Sequence, residues 1–271
     1  MIIMTTATWL LLAAPAAAKP WRVPVATLSD MSGDVATAEA AEWRNAATGL
    51  QLRTGDRLRT GAGAAARLTF PWTSLRVGPD TTLEIQPSPI LAVTLERGRV
   101  QQEAEGTEAV RLETTEAVVR GEGRVILRRG ADGTAVTVWN GTFRIEGRAA
   151  GSAAVEVHAG ESSLVPPSGI PAPAIAAPDK PAGLLPGADP LYVLPGDKVA
   201  LSWTAAAQRH HVQVLPIDTN DVLIDRDTDA PPPYTIQLPW LGTYRWRVAA
   251  MAAGGIEGLP SEEGLICVVE K

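Results

Sequence analysis

Four groups of residues in this sequence have types and spacings that chemistry can use. Thr60 to Phe70 reads TGAGAAARLTF, in which Gly61, Gly63 and Ala66 fit G-x-G-x-x-A. That is the spacing of a dinucleotide-binding turn, and Asp80 follows about where a ribose-binding acid would sit. His210 and His211 are adjacent, and His158 is the third histidine. Neighbours on a strand point to opposite faces, so the pair is poorly placed to share one metal. Asp218, Asp221, Asp225, Asp227 and Asp229 crowd the stretch DTNDVLIDRDTD, a density of carboxylates that suits Ca²⁺ through oxygen ligands. Arg120, Arg124, Arg128 and Arg129 cluster in RGEGRVILRRG. Arg124 and Arg128 fall on one face of a strand, where a sulfated, phosphorylated or carboxylated polymer would find guanidinium forks.

Each group also has a plainer reading. A dinucleotide turn needs a strand before it, a helix after it and a βαβ unit around it. Here RLTF alternates and is cut by Pro71, so the glycines are expected to supply a tight bend between two strands. The stretch from Asp225 departs from an EF-hand: Ala230 stands at the sixth position instead of Gly, and Ile236 at the twelfth instead of Glu. A solvated acidic loop is the expectation, with calcium left open. The arginine cluster reads as a charged solvent face balanced by Glu116 and Glu122, with Arg124 and Arg128 kept as interaction candidates. Trp203 and Trp246 are expected in a core, whereas Trp72 and Trp240 lie beside turns and are candidates for protein or sugar contact. No nucleophile elbow, Cys–His pair or P-loop is present in the sequence. No catalytic, cofactor-binding or metal-binding residue is therefore expected, and the chain reads as a non-enzyme.

The elements that must carry these residues read as strands throughout. From about Trp21 to Val165, short alternating runs are separated by turn signals such as Gly55-Asp56, Gly78-Pro79 and Asp132-Gly133, the spacing of a sandwich or barrel. Val136 to Trp139, then Asn140-Gly141, then Thr142 to Ile145 reads as a hairpin, because Asn-Gly suits the positive φ of a type I′ turn. Residues 36–47 allow a short helix or an irregular loop. Residues 166–187 carry seven prolines and read as a stiff linker or a chain draped along a domain. Beyond them Val199 to Trp203, His211 to Leu215, Tyr234 to Leu238, Tyr244 to Val248 and Leu265 to Val269 read as strands of a small β-sandwich. The fold class is all-β, with residues 22–165 as one domain and 188–271 as a second.

Two stretches carry family resemblances. Thr54 to Phe70 (TGDRLRTGAGAAARLTF), Ser74 to Ile85 (SLRVGPDTTLEI), Leu95 to Val100 (LERGRV) and, more loosely, Glu113 to Gly123 resemble the FecR domain of bacteria. That resemblance covers roughly residues 25–165 and implies a run of β-hairpins bent by glycines. Pro71 to Ser74 replaces the family's usual Asp-Gly-Ser turn. Leu201 to Trp203, Leu238 to Val248 and Gly255 to Ser261 resemble a fibronectin type III-like module, which implies a core role for Trp203 and a corner role for Tyr244. Membrane-spanning FecR regulators pass signals from a TonB-dependent transporter to a cytoplasmic sigma factor and need a cytoplasmic segment before a membrane helix. Only about eight residues precede the apolar run here, so direct contact with a sigma factor is not expected.

Bulk composition narrows the function classes. The 271 residues are 45% hydrophobic with a formal net charge of −6, a folded, acidic protein ill suited to nucleic acid. Residues 22–165 hold 16 basic and 18 acidic side chains, and residues 166–271 hold 7 and 12. Cys267 is the single cysteine, so no intramolecular disulfide forms. Residues 1–18 end in Ala16-Ala17-Ala18 after an apolar run, the form of a cleavable signal peptide. The run is short for a bilayer span, so membrane contact is expected only if that leader stays uncleaved. The chain thus reads as a periplasmic or secreted protein-interaction module in envelope sensing. Its expected partner is an envelope protein, and the alternative is a carbohydrate or peptidoglycan polymer.

Overall fold

The computed structural model describes residues 24–39, 42–86, 91–103, 110–204, 207–218 and 222–270. The leader read over residues 1–18 lies outside them. The described chain is all-β, broken only by a 3₁₀ turn at Ala253–Gly255. Fifteen strands between Pro24 and Ala176 form one continuous sheet, which folds around a single apolar core. Leu28, Leu58, Leu68, Leu75, Val93, Val125, Phe143 and Val157 all sit in that core with no exposure. They recur at every second position along their strands, as a half-buried sheet requires.

TGAGAAARLTF is a bend. The strand Arg57–Thr60 ends at Gly61, Gly63 takes φ +70, and the strand Ala65–Phe70 begins two residues later. The Gly61 carbonyl accepts from the Ala64 and Asp80 amides, both at 3.2 Å, which fixes the turn. Within residues 36–47, the described residues 36–39 and 42–45 are strand rather than helix or irregular loop. Val35–Glu39 pairs antiparallel with Glu42–Asn45 and with Arg57–Thr60. Val35, Ala36 and Ala38 are buried there, so pairing and burial override the helical preference of the alanines.

The Asn140-Gly141 hairpin is also corrected. Gly133–Gly147 is one continuous strand, antiparallel to Ala117–Gly130 across a turn at Ala131-Asp132. Arg124 faces Asn140 but Val125 faces Val138, so Trp139 is an extra residue in the ladder. This is a β-bulge, and Gly141, two residues past it and facing Gly123, takes φ +85. Asn-Gly meets the same demand for positive φ in a bulge as in a turn. The bulge shifts the alternation along this strand. Val136 and Val138 enter the core before it, and Phe143 and Ile145 after it.

Residues 166–187 run along the surfaces of both halves. Ile175–Ala176 pairs with Glu161–Val165, and Ala182–Leu185 pairs with Lys198–Thr204. The C-terminal half has a three-stranded sheet ordered Ala182–Leu185, Lys198–Thr204, Tyr234–Gln237. Facing it is a larger sheet ordered Leu191–Val193, Gly264–Val268, Gly242–Met251, Arg209–Pro216, Ile224–Thr228, with Glu257–Pro260 beside Gly242–Met251. Between them lie Trp203, Val212, Val214, Tyr244, Trp246 and Ile266. The Tyr244 hydroxyl donates to the Trp240 carbonyl at 3.0 Å, closing the corner at the start of its strand.

Candidate functional site

One strand of the C-terminal sandwich is buried on both faces. Along Arg209–Pro216, His210, Val212 and Val214 point into the sandwich, and His210 stands edge-on to Trp203 at 5.1 Å. Burial lowers the His210 pKa. His211, Gln213 and Leu215 point the other way, and all three are nearly inaccessible. What covers them is the outer face of the N-terminal sheet. Thr137 Oγ1 donates to the Glu257 carbonyl at 2.6 Å, and Ser32 Oγ donates to the Val222 carbonyl at 2.9 Å. Ala65 packs with Leu215 and Val222. Arg247 donates to Gln213 Oε1 at 2.8 Å and lies over the Trp139 ring at 5.6 Å. The bulge that makes Trp139 an extra residue therefore also makes it part of this seam.

The centre of the seam is ionic. Arg99, on the strand Leu91–Gln102, grips Glu257 through Nε and Nη2, both at 2.8 Å. Arg128 reaches the same carboxylate at 2.6 Å and holds Asp227 through two further bonds at 2.8 Å. His211 Nδ1 lies 2.7 Å from Asp227, and Nε2 lies 2.9 Å from Asp225. The latter pair is an ion pair by distance without the alignment of a hydrogen bond. With His211 protonated, three cations meet three carboxylates and the cluster is neutral.

The protonation states follow from burial set against these neighbours. Burial raises Asp225, but the His211 charge outweighs it and leaves the pKa at about 2. Burial opposes ionisation of Glu257 and Asp227 as well. Arg99 and His211 hold Glu257 well below the usual carboxylate range, and His211 and Arg128 do the same for Asp227. Burial would lower His211, yet Glu257 and Asp225 leave it raised. A group that exchanges its proton as an acid–base catalyst must be free to do so at the working pH. These carboxylates are committed to guanidinium and imidazolium partners. Desolvating such ions costs as much as their attraction returns, so the cluster specifies how the halves dock more than it adds stability.

Beside the cluster opens a cleft of about 540 Å³ between the two halves. Arg209 and Arg226 line it from the C-terminal half, and Arg128 with the turns at Gly63, Asp80 and Asp132 line it from the N-terminal half. The glycine turn of TGAGAAA is thus a wall of this cleft. An arginine, Arg226, comes within 3.5 Å of where a Gly63 Cβ would stand.

The structure separates the four interaction candidates. Arg128 is in the seam, its side chain 14% exposed and committed to Glu257 and Asp227. Arg124 is half-buried on the same strand face, beyond the seam's centre. Trp72 is 42% exposed in the turn between Ala65–Phe70 and Thr73–Val77, and Trp240 is 63% exposed at the far end of the sandwich. The acidic stretch is not a solvated loop. Ile224–Thr228 is a strand, Asp225 is buried, Asp227 meets Arg128 and His211, and Asp229 pairs with Arg209 at 2.8 Å. Asp221 lies outside the described residues. Among the described residues, no group of three or more His, Cys, Asp and Glu is arranged to hold a metal ion. Of the balancing acids, Glu116 does pair with Arg129, at 2.7 Å. Arg99, Glu257, His211 and Thr137 were not singled out as partners by spacing. The one hint was the i, i+2 alternation of Asp225, Asp227 and Asp229, which puts three carboxylates on one strand face.

No curated protein matches the chain. Among solved structures, the crystal structure of domains A168-A170 from titin is similar at 16% identity. It covers 78% of this chain and 75% of that one, at a TM-score of 0.28, an overlap too loose to bear on fold or function. The family described as FecR protein matches residues 56–144, the stretch from Asp56 through the bulged strand, so the chain carries a FecR domain there.

Proposed function

We propose that the protein is an exported, non-enzymatic FecR-domain protein that works by binding another protein of the bacterial cell envelope in signal transduction. The observation that carries this reading is the seam. The N-terminal domain commits Arg99 and Arg128 to docking the C-terminal β-sandwich, and three aromatic side chains, Trp72, Trp240 and Tyr192, stand among the large apolar residues left exposed. Aromatic residues are the usual anchors of protein interfaces. The second module is read as fibronectin type III-like, supported by its two facing sheets, of three and six strands, and the Tyr244 corner. A periplasmic or secreted location accords with residues 1–18. Polymer binding is the second reading, favoured by the exposed Trp72 and Trp240 alone.

In-cell crosslinking of the C-terminally tagged protein, read by mass spectrometry, tests this. Enrichment of one envelope protein is the expected result. Recovery of peptidoglycan or polysaccharide fragments with no dominant protein would move polymer binding to first place.

A further inference from the structure

One end of the C-terminal sandwich holds polar atoms with nothing to bond. The strands Lys198–Thr204 and Ile224–Thr228 finish there, and Arg209–Pro216 starts there. Tyr234–Gln237 also starts there and runs away toward Trp240, which lies at the opposite end. Trp203 and His210 meet at this end, 5.1 Å apart, with 5% and 2% exposure. Trp203 Nε1 and both ring nitrogens of His210 are buried without a hydrogen-bond partner. Buried polar groups in native proteins nearly always have partners, and an unpaired one costs free energy. Burial lowers the His210 pKa, so the ring is neutral, with one nitrogen donating and the other accepting. Two donors and one acceptor are thus unmet side by side. Both rings line a pocket of about 550 Å³, the size of a small-ligand site.

The rest of the lining decides what chemistry fits. Pro231 and Pro232 give it apolar wall, and Gln208 and Asp229 stand exposed at its mouth. Asp229 is the one charged residue in the lining, and Arg209 pairs with it at 2.8 Å. The pocket therefore offers no unbalanced charge to hold an ion. An apolar ligand would leave all three buried atoms unmet, and a ligand with acceptors alone would leave the histidine acceptor unmet. A hydroxyl both donates and accepts. A sugar ring carries several hydroxyls around its edge and presents C–H faces that suit indole and proline surfaces. We propose that this end of the sandwich binds one neutral sugar ring, its C–H face against the proline wall and its hydroxyls on Trp203 Nε1, His210 and Gln208. The ring is a free sugar or the end of a longer saccharide. This goes beyond the protein-interaction reading and is independent of it, and it uses neither Trp72 nor Trp240.

The test follows the Trp203 indole N–H and the His210 ring by NMR in the full chain. The probes are methyl β-glucoside, methyl β-galactoside and N-acetylglucosamine, with glucuronate and glucosamine as charged controls. At least one neutral probe should shift both signals saturably, with a Kd of about 1 mM or below. A tetrasaccharide of that sugar binding about tenfold tighter would mark a polymer end as the source, and equal affinity a free sugar. His210→Phe keeps a ring and removes both nitrogens, so without probe it should melt no lower than wild type, yet bind about tenfold more weakly. Gln208→Ala, at the exposed mouth and folded by circular dichroism, should also weaken binding. Neither signal moving with any neutral probe at about 50 mM, far above that Kd, would overturn the proposal. So would shifts from the charged controls alone, or sugar affinity unchanged in His210→Phe. A His210→Phe protein that melts well below wild type would show that the nitrogens already have partners, and would overturn it too.

Discussion

Glu257→Gln is the sharpest perturbation of the seam. The Glu257 side chain is 1% exposed and accepts two bonds from Arg99 at 2.8 Å and one from Arg128 at 2.6 Å. Glutamine keeps the shape but removes the charge, and it turns an amide N–H₂ toward a guanidinium. Arg99, itself 2% exposed, then loses the carboxylate that it bonds directly. Removing one partner of a buried ion pair costs about 3–5 kcal/mol, which shifts the docking equilibrium by roughly a hundred- to several-thousand-fold. The assay is urea unfolding followed by far-UV circular dichroism for the whole chain and by tryptophan fluorescence of a variant that keeps only the buried Trp203 and Trp246, with the other tryptophans changed to Phe, for the sandwich. The wild type should lose both signals together, because the halves share one interface. In Glu257→Gln the fluorescence transition should move to lower urea and separate from the other. The double variant Arg99→Met, Glu257→Leu should recover part of the loss, since a buried pair replaced by apolar residues is often neutral. A single coincident transition in Glu257→Gln, within about 1 kcal/mol of wild type, would refute the claim that losing the Glu257 charge leaves a costly buried cation in the seam.

Other consequences follow from the same coordinates. The His211 pKa is raised above its ordinary 6.5, so its contribution is whole below about pH 6.5 and is lost as pH rises through the raised value. The Asp225 pKa is depressed from 3.8 to about 2, so its contribution is present above about pH 4 and is lost as pH falls toward 2. Urea midpoints should therefore peak between about pH 4 and 6.5, and His211→Gln should abolish the alkaline decline and, because the His211 charge holds Asp225 down, also move the acid decline to higher pH; a wild-type profile flat from about pH 6 to 9 would contradict this. Gly141→Val should lower stability by about 2 kcal/mol or more, because valine resists φ +85 and its Cβ would meet the Glu122 carbonyl. A melting curve unchanged from wild type would mean the bulge relaxes. Trp246→Ala should cost about 3–5 kcal/mol in the sandwich transition, since the ring is fully buried and its Nε1 donates to the Pro186 carbonyl at 3.0 Å. A loss below about 1 kcal/mol would place the ring outside the load of that core.

The parts of the fold legible in the sequence were those governed by one-sided burial. Leu68, Leu75, Val77, Leu83, Ile85, Val93 and Leu95 alternate with polar residues and do enter one core. The TGAGAAA turn was legible as well, because Pro71 leaves no length for the helix a cofactor loop needs. Asn140-Gly141 was misread because its demand, a positive φ beside an exposed backbone, is common to a tight turn and to a bulge. Only the continuous pairing from Ala117 to Gly147 tells the two apart. The seam was hidden for a deeper reason. Period-2 patterning infers the solvent face from its polarity, and here a polar face is buried against another polar face. Arg99, Arg128 and Thr137 on one side and His211, Gln213, Asp225 and Asp227 on the other read as solvated by that logic.

What distinguishes such a face is charge sorting rather than hydropathy. The docking strands of the N-terminal half present arginine, and the facing strand Ile224–Thr228 presents aspartate at alternate positions. Solvated strand faces have no need to sort their charges, since a surface pair contributes about 0–1 kcal/mol in either arrangement. Like charges repeated on one face are unfavourable unless an opposite face neutralises them. A run such as Asp225-x-Asp227-x-Asp229 in one module, with outward arginines in another, is therefore a complementarity signal.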